Sequence, residues 1–303
     1  MILIIKNRLS NILFKYFEII FGYPVLKYLF KKRLGYDLNL NEPKSFNEKL
    51  SCKKIYDKNP LLNKVADKHR VRDYVVNMLG ESEAKDILVK QLLVTRSLTK
   101  YQFDELPDKF VIKANHGSGK NHIIWDKSEV NYSDLKSLTE SWHKDAYLKF
   151  YKHEWAYECN EKLILVEEML TDSGGDIPCD IKFHMIHGKC QFIDCMFDRF
   201  EKEKKRSLFS PEWNLLHVTC QPWKWKPGGY IEKPKHLNDM IRYAEKLSSP
   251  FDYVRVDFYA FDDKVYFGEL THFPSSGAAD YHPQSFDYEI GSKWHFDPDY
   301  WKT

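Results

Sequence analysis

Arg255, Asp257 and Glu269 stand within one stretch, VRVDFYAFDDKVYFGELTHFP (residues 254–274), that reads as two strands joined by a tight turn. Val254, Val256 and Phe258 alternate with Arg255, Asp257 and Tyr259, the period of a half-buried strand. Residues 265–269 repeat the pattern after an acidic hairpin turn, Asp262-Asp263-Lys264, and pairing across it brings Glu269 beside Asp257. Two carboxylates and a guanidinium among aliphatic and aromatic neighbours are costly to bury without partners. A divalent cation with a polyphosphate would satisfy all three. Mg²⁺ takes one or two carboxylates plus phosphate oxygens, and arginine matches phosphate geometry. A solvated hairpin face with surface ion pairs satisfies them too, and on this stretch alone the two readings stand level.

A second stretch, FVIKANHGSGKNHIIWD (residues 110–126), sets one charge, Lys113, in an apolar strand. The loop His116-Gly117-Ser118-Gly119-Lys120-Asn121 follows, then another strand. Two glycines let backbone fold closely around an anion and present its N–H groups. Strand, glycine loop, strand is the form of a flap that covers phosphates. A Walker loop is excluded, since GxxxxGK[ST] is absent and no helix follows. An ordinary polar hairpin loop has the same composition. Lys113, which must point at something anionic, favours the flap. LILVEEML (residues 163–170) reads as a buried strand ending in Glu167 and Glu168, where exposed backbone can read an adenine edge or the acids can be plain strand-end charges. CDIKFHMI (residues 179–186) alternates, with Asp180, Lys182 and His184 on one face.

Further elements must position these groups. Ser45 with Glu48 is a capping box that opens a helix, and residues 61–79 read as one more helix, carrying Asp67-Lys68. Residues 87–95 read as a buried strand, and 133–150 as a helix with Trp142, Tyr147 and Phe150 in the core. Ser173-Gly174-Gly175 is a turn, 198–206 a charged loop, 222–234 a Trp/Pro/Gly loop, 234–247 a helix, and 272–280 a loop with Ser275, Ser276 and Gly277. Residues 1–36 are apolar and basic, interrupted by Lys6, Arg8, Lys15 and Glu18 and broken at Gly22 and Pro24. They suit two short amphipathic helices rather than a membrane span or a secretory signal. Packing on the body is slightly favoured, and peripheral contact with an anionic membrane stays open.

A chain of 303 residues has room for two or three subdomains, and 43% hydrophobic with 30% charged residues is the balance of a globular protein. A net charge of +2 gives no support to bulk nucleic-acid binding. Six cysteines without paired spacing read as free cytosolic thiols.

EPKSFNEKL, ADKHRVRDYV, LPDKFVIKANHGSGKN, LVEEML, CDIKFHMIHGK and VRVDFYAFDDKVYFGEL, in this order, resemble the ATP-grasp superfamily over residues 36–280. Within it they resemble the TupA-like branch linked to bacterial surface polysaccharides. The resemblance implies an α+β ATP-grasp fold whose nucleotide cleft lies between a small flap subdomain and a larger mixed-sheet subdomain. Its segments would be helices over 1–36, an N-terminal subdomain over 37–105, a flap over 106–165 and a metal-bearing subdomain over 166–303. By the same resemblance Lys68 and Lys113 contact ATP phosphates, and His116, Gly117, Ser118 and Gly119 close over them. Glu167, Glu168 and Met169 meet the adenine, Asp180 the ribose, and Lys182 is a weaker phosphate ligand. Asp257 and Glu269 hold Mg²⁺, and Arg255 stands near the transferred phosphoryl group. Many relatives continue this motif Glu-x-Asn, whereas this chain has Glu269-Leu270-Thr271, so a hydroxyl or water fills the third metal position.

The implied activity is ATP-dependent ligation of a carboxylate, a uronic acid of a surface polysaccharide, to an amino acid or small amine. The implied location is the cytoplasm, at the inner face of the bacterial membrane if residues 1–36 touch it. A kinase-like phosphotransferase on the same fold, a glycosyltransferase of the same pathway and a non-catalytic carbohydrate-binding protein are the rivals. Trp213, Trp223 and Trp225 are candidate sugar platforms. Asp257→Asn and Glu269→Gln are expected to fold normally and lose ADP release.

Overall fold

The computed structural model describes residues 13–144, 153–157, 161–171, 175, 177–197, 202–261 and 264–295. Cys159, Tyr147, Phe150, Ser173, Gly174, Asp262 and Asp263 lie outside them, as do residues 1–12. Helix α1 covers residues 13–20 and α2 Pro24–Leu34. The capping box opens α3 (Phe46–Tyr56) as its sequence indicates: Ser45 Oγ accepts from Glu48 N–H at 3.1 Å and Glu48 Oε2 accepts from Ser45 N–H at 2.8 Å.

The helix expected over 61–79 is two helices, α4 (Pro60–Ala66) and α5 (Val71–Leu79). The Asp67 carboxylate accepts from the backbone N–H groups of His69 and Arg70 at 2.8 and 3.2 Å. That local bond competes with helical pairing, so Lys68 lies in a bend rather than on a helix. Helix α6 (Glu81–Ile87) takes the start of the stretch expected as a strand, and β1 begins at Gln91 (Gln91–Thr95).

After α7 (Lys100–Asp104) come β2 (Phe110–Ala114), β3 (Asn121–Ile124), α8 (Tyr132–Lys144) and β4 (Ile164–Glu168). The four strands form an antiparallel sheet in the order β1-β4-β2-β3. This small sheet therefore starts at β1, earlier than residue 106. Its core joins Phe103, Phe110, Ile112, Leu135, Trp142 and Val166.

The larger sheet is built from β5 (Asp180–Ile186), β6 (Lys189–Phe197) and β7 (Lys205–Phe209). Beyond β8 (Thr219–Cys220) it gains β9 (Lys226–Pro227) and, after α9 (Leu237–Ser248), the hairpin β10 (Tyr253–Phe261) and β11 (Lys264–Thr271). Its order is β11-β10-β5-β6-β7-β9, antiparallel except for β7 with β9. Strand β12 (Tyr281–His282) pairs with β8, and α10 (Ser285–Lys293) follows. The charged stretch 198–206 is thus partly strand: Lys205 and Arg206 already lie in β7.

One face of the large sheet presents Phe183, Ile193, Val254, Val256 and Phe258 to α5 and α9. The opposite face meets α3 and α10 through Phe46, Phe192, Tyr253 and Trp294. Burying one ring such as Phe46 stabilises by roughly 1.5–3 kcal/mol. Beyond that packed end the second face turns charged. Among the described residues no helix is long and apolar enough to cross a membrane, and the five described cysteines are free.

Candidate active site

Asp194, Lys182, Asp257 and Glu269 are register partners across β6, β5, β10 and β11. Phe192 and His184, then Arg255 and Thr271, occupy neighbouring rungs of the same face. Glu269 reaches this face through a bulge. Strict alternation from Val265 and Phe267 would send it into the apolar core, but β11 carries one extra residue at Gly268, opposite Asp257 and Phe258. A Cβ at Gly268 would stand 3.1 Å from Asp257 O and 3.3 Å from Tyr259 Cε2, which explains a residue without a side chain there.

Arg255 lies along Asp257, with Nε and Nη2 each donating to a carboxylate oxygen at 2.6 Å. Its Nη2 also donates to Glu269 Oε1 at 3.2 Å and to Thr271 Oγ1 at 3.0 Å. Thr271 Oγ1 donates to the same Glu269 oxygen at 3.1 Å. Lys182 bridges Asp180 and Asp257, 2.8 Å from each. Burial opposes charge on both Asp257 and Lys182. Arg255 and Lys182 nevertheless hold the Asp257 pKa below its ordinary value, and Asp180 and Asp257 raise that of Lys182. Asp257 and Lys182 are therefore both charged. Asp257 is 2% exposed, so it sits beneath Arg255, whereas Glu269 is open to the cleft.

Two lysines approach from the other side. Lys68 Nζ donates to Gly117 O at 2.7 Å and lies 3.8 Å from Glu269 Oε2. Burial, partly offset by Glu269, lowers its pKa. Lys113 Nζ is 2.5 Å from Glu167 Oε2.

Two cavities meet here. The smaller, about 440 Å³, lies between the sheets, with Val111 and Ile123 on one side and Tyr259 and Phe267 on the other. Glu167, Glu168 and Met169 border it, Met169 lying past the last rung of β4. Gly268 lines this cavity, and its neighbour Glu269 lines the larger one, about 710 Å³. Arg255, Thr271, Gly117 and Ser118 also face the larger cavity. So does a loop in which Ser275, Ser276 and Gly277 all take left-handed φ, at 49°, 59° and 70°. Lys54 donates to Ser276 O, and Gln221 to Ser275 Oγ at 3.0 Å, holding that strained run in place.

Several expected residues lie elsewhere. His116 turns inward, its Nδ1 3.0 Å from Asn115 Oδ1 and its Nε2 3.3 Å from Trp142 O. Burial takes its pKa down to about 4, so it is neutral and anchors the loop. Gly119 borders neither cavity; its φ of 72° is the glycine-specific part of the turn. Asp180 and Lys182 are buried in their ion pair and border neither cavity. Trp213 and Trp225 are buried, exposed Trp223 lies under Arg33 at 4.3 Å, and none of the three lines either of these two cavities.

Asn115 escaped the sequence reading. Its Nδ2 donates to Asp67 Oδ2 at 2.8 Å, its Oδ1 accepts from Leu163 N–H at 2.9 Å, and its carbonyl accepts from Lys68 N–H at 2.9 Å. It ties the Lys68 bend to the small sheet. Asp194 and Arg206 were missed as a pair; the guanidinium spans both carboxylate oxygens at 2.8 and 2.5 Å.

Among the described residues no three or more histidine, cysteine or carboxylate side chains gather as a metal cage. Asp257 and Glu269 are two hard oxygen donors with the Thr271 hydroxyl adjoining. That set fits Mg²⁺ shared with phosphate oxygens, not an all-protein site.

A family model described as TupA-like ATPgrasp matches residues 48–295. No curated protein sequence matches the chain. Among solved structures, a D-alanine–D-alanine ligase from Bacillus anthracis aligns at 18% identity and a TM-score of 0.43, covering 76% of this chain and 64% of that one. The Helicobacter pylori ligase of the same name aligns at 12% and 0.40, covering 76% and 59%. The ATP-grasp ligase PsnB, complexed with minimal precursor, Mg and ADP, aligns at 13% and 0.36, covering 71% and 52%. The chain spans less than two thirds of the length of each.

Proposed function

The chain belongs to the TupA-like ATP-grasp family, and from that premise we propose that it is an ATP-dependent ligase joining a carboxylate to an amine through an acyl phosphate. The observation that carries the reading is the rung of Asp257 and Glu269, clasped by Arg255: Glu269 lines the larger cavity next to Gly268 of the smaller one, and Asp257 lies beneath Arg255. The smaller has apolar walls suited to a base, with strand-end backbone at Met169 to read its edge. Lys113, Lys68 and the Gly117–Ser118 backbone stand between that cavity and the acids, where a triphosphate would run. The larger cavity is left for the acceptor.

Asp257 and Glu269, with Thr271 or water, would hold Mg²⁺. Bound there, the ion supplies neutralisation of phosphate oxygens. The acceptor carboxylate attacks the γ-phosphorus, the bond to the β-phosphate oxygen breaks, and ADP leaves. The amine then adds to the acyl carbon, loses a proton, and expels phosphate to leave an amide. No covalent nucleophile of the protein is needed; the residues position and neutralise. Arg255, which lies along Asp257 and lines the larger cavity, would neutralise the transferred phosphoryl group. The acceptor is a uronic acid of a bacterial surface polysaccharide, the nucleophile an amino acid or small amine, and the enzyme works in the cytoplasm.

A coupled ADP-release screen of uronic acids against amino acids and simple amines, with mass spectrometry of products, tests this. Amide product with ADP supports it. ADP with a stable phosphorylated acid, whatever amine is present, would mean a kinase, and no ATP turnover with any pair would sink the reading.

A further inference from the structure

Leu13, Tyr16, Phe17, Ile20 and Phe21 follow the spacing of one helix face, and they are 43–71% exposed. A surface helix ordinarily turns such a stripe inward. Here the inward residue is the acid, Glu18, which is fully buried. Its Oε1 and Oε2 accept from Val25 and Leu26 N–H at 2.8 and 3.2 Å, capping the start of α2, and His153 Nε2 lies 3.3 Å away. Glu18 O also accepts from Tyr23 N–H at 2.6 Å. These bonds pin the roll of α1, so the apolar stripe faces out by construction. Helix α2 extends the patch. It buries Leu26 and Phe30 against Leu38 and Ile55, and shows Lys27, Tyr28 and Lys31 to solvent.

Charge singles out the partner. Residues 1–36 hold seven lysines and arginines and one acid, the buried Glu18, for a net +6; the remainder of the chain is net −4. We propose that α1 and the outer face of α2 dock on a phospholipid surface that carries anionic headgroups. Phe17, Ile20 and Phe21 enter the boundary between headgroups and acyl chains, and Lys15 and Lys27 extend to the phosphates. A second copy is the poorer occupant, since it would bring two segments of net +6 together. Leu29, Lys32 and Arg33 of α2 line the larger cavity, so docking holds that cavity beside the lipid.

Sedimentation of the full chain with vesicles, without ATP or acceptor, tests docking independently of the ligase chemistry. The vesicles are phosphatidylcholine alone, or mixed with phosphatidylglycerol. The chain should bind the mixed vesicles, less at high salt, and bind pure phosphatidylcholine far more weakly. Phe17→Ser with Ile20→Ser should lower partitioning at least about tenfold. Lys15→Gln and Lys27→Gln should each lower it about fivefold. All four side chains are exposed, so melting temperature should hold and report intact folding. Equal binding to both vesicles, or binding that the variants leave unchanged, overturns the proposal. So does failure to bind, whether the chain is monomeric or an oligomer that Phe17→Ser with Ile20→Ser dissolves; the second result would make the stripe a self-contact.

Discussion

Asp257→Asn and Glu269→Gln remove one charge each from the same rung, yet the structure separates their effects. Asp257 is buried under Arg255 and beside Lys182, so its neutralisation leaves two buried cations short of a partner. Breaking a buried pair costs about 3–5 kcal/mol. Arg255 keeps Glu269 and Thr271, and Lys182 keeps Asp180, which places the loss near the lower end, about 3 kcal/mol. For a chain of 303 residues that is a fall in melting temperature of roughly 5 °C. Glu269 is 35% exposed at its side chain, and glutamine still accepts from Thr271 and Arg255. Its replacement costs about 1 kcal/mol or less. Both variants should lose about 10²–10³ in ADP release. Differential scanning fluorimetry beside the coupled ADP assay reads both quantities. Two variants that melt together at the wild-type temperature would refute the burial argument, and wild-type turnover in Glu269→Gln would refute the site.

Stability should fall on acidification. Burial takes His184 and His116 down to about 4 from 6.5, so the folded chain binds fewer protons than the unfolded one in that window. Their contribution is whole above pH 6.5 and declines as pH falls toward 4, by up to about 1.4 kcal/mol per pH unit each. A urea midpoint unchanged from about pH 7 to about pH 5 would contradict this. Trp213 stacks on Phe209 at 4.5 Å and its Nε1 donates to Ile231 O at 3.0 Å, so Trp213→Ala should cost about 3–5 kcal/mol. Exposed Trp223→Ala should cost about 1 kcal/mol or less, and thermal melts showing the reverse order would refute the assignment. Gly119→Ala meets no atom within 4 Å, so only its left-handed backbone resists, by about 1–2 kcal/mol. The same change at Gly277 also crowds Leu50 Cβ and Ser51 Oγ at 3.2 Å and should melt lower, which the two melting curves decide.

The alternation of Val254, Val256 and Phe258 was legible because both faces of β10 obey one period and the core side is unbroken apolar. Glu269 beside Asp257 was legible from the pairing of the hairpin, but the bulge at Gly268 that achieves it was not, because a lone glycine announces no shift of phase. The order of the strands bearing Lys113, Glu167 and Asp257 carried the family resemblance. The break at Asp67 was hidden: apolar spacing runs through it, and the carboxylate that ends the helix acts through a local hydrogen bond. Arg206 was read as loop because its neighbours are charged, and its partner Asp194 lies on the adjoining strand. His116 was placed over phosphate by its position beside the glycines, but the space under the loop takes its ring inward.

The acyl phosphate is the central claim, and the path of one oxygen tests it. An acid that supports turnover is supplied with both carboxylate oxygens carrying a heavy-oxygen label, with ATP, Mg²⁺ and the amine. In-line attack moves one labelled oxygen onto phosphorus, so the released phosphate should carry one label and the amide the other. Unlabelled phosphate, with both labels retained in the recovered acid, would contradict the account.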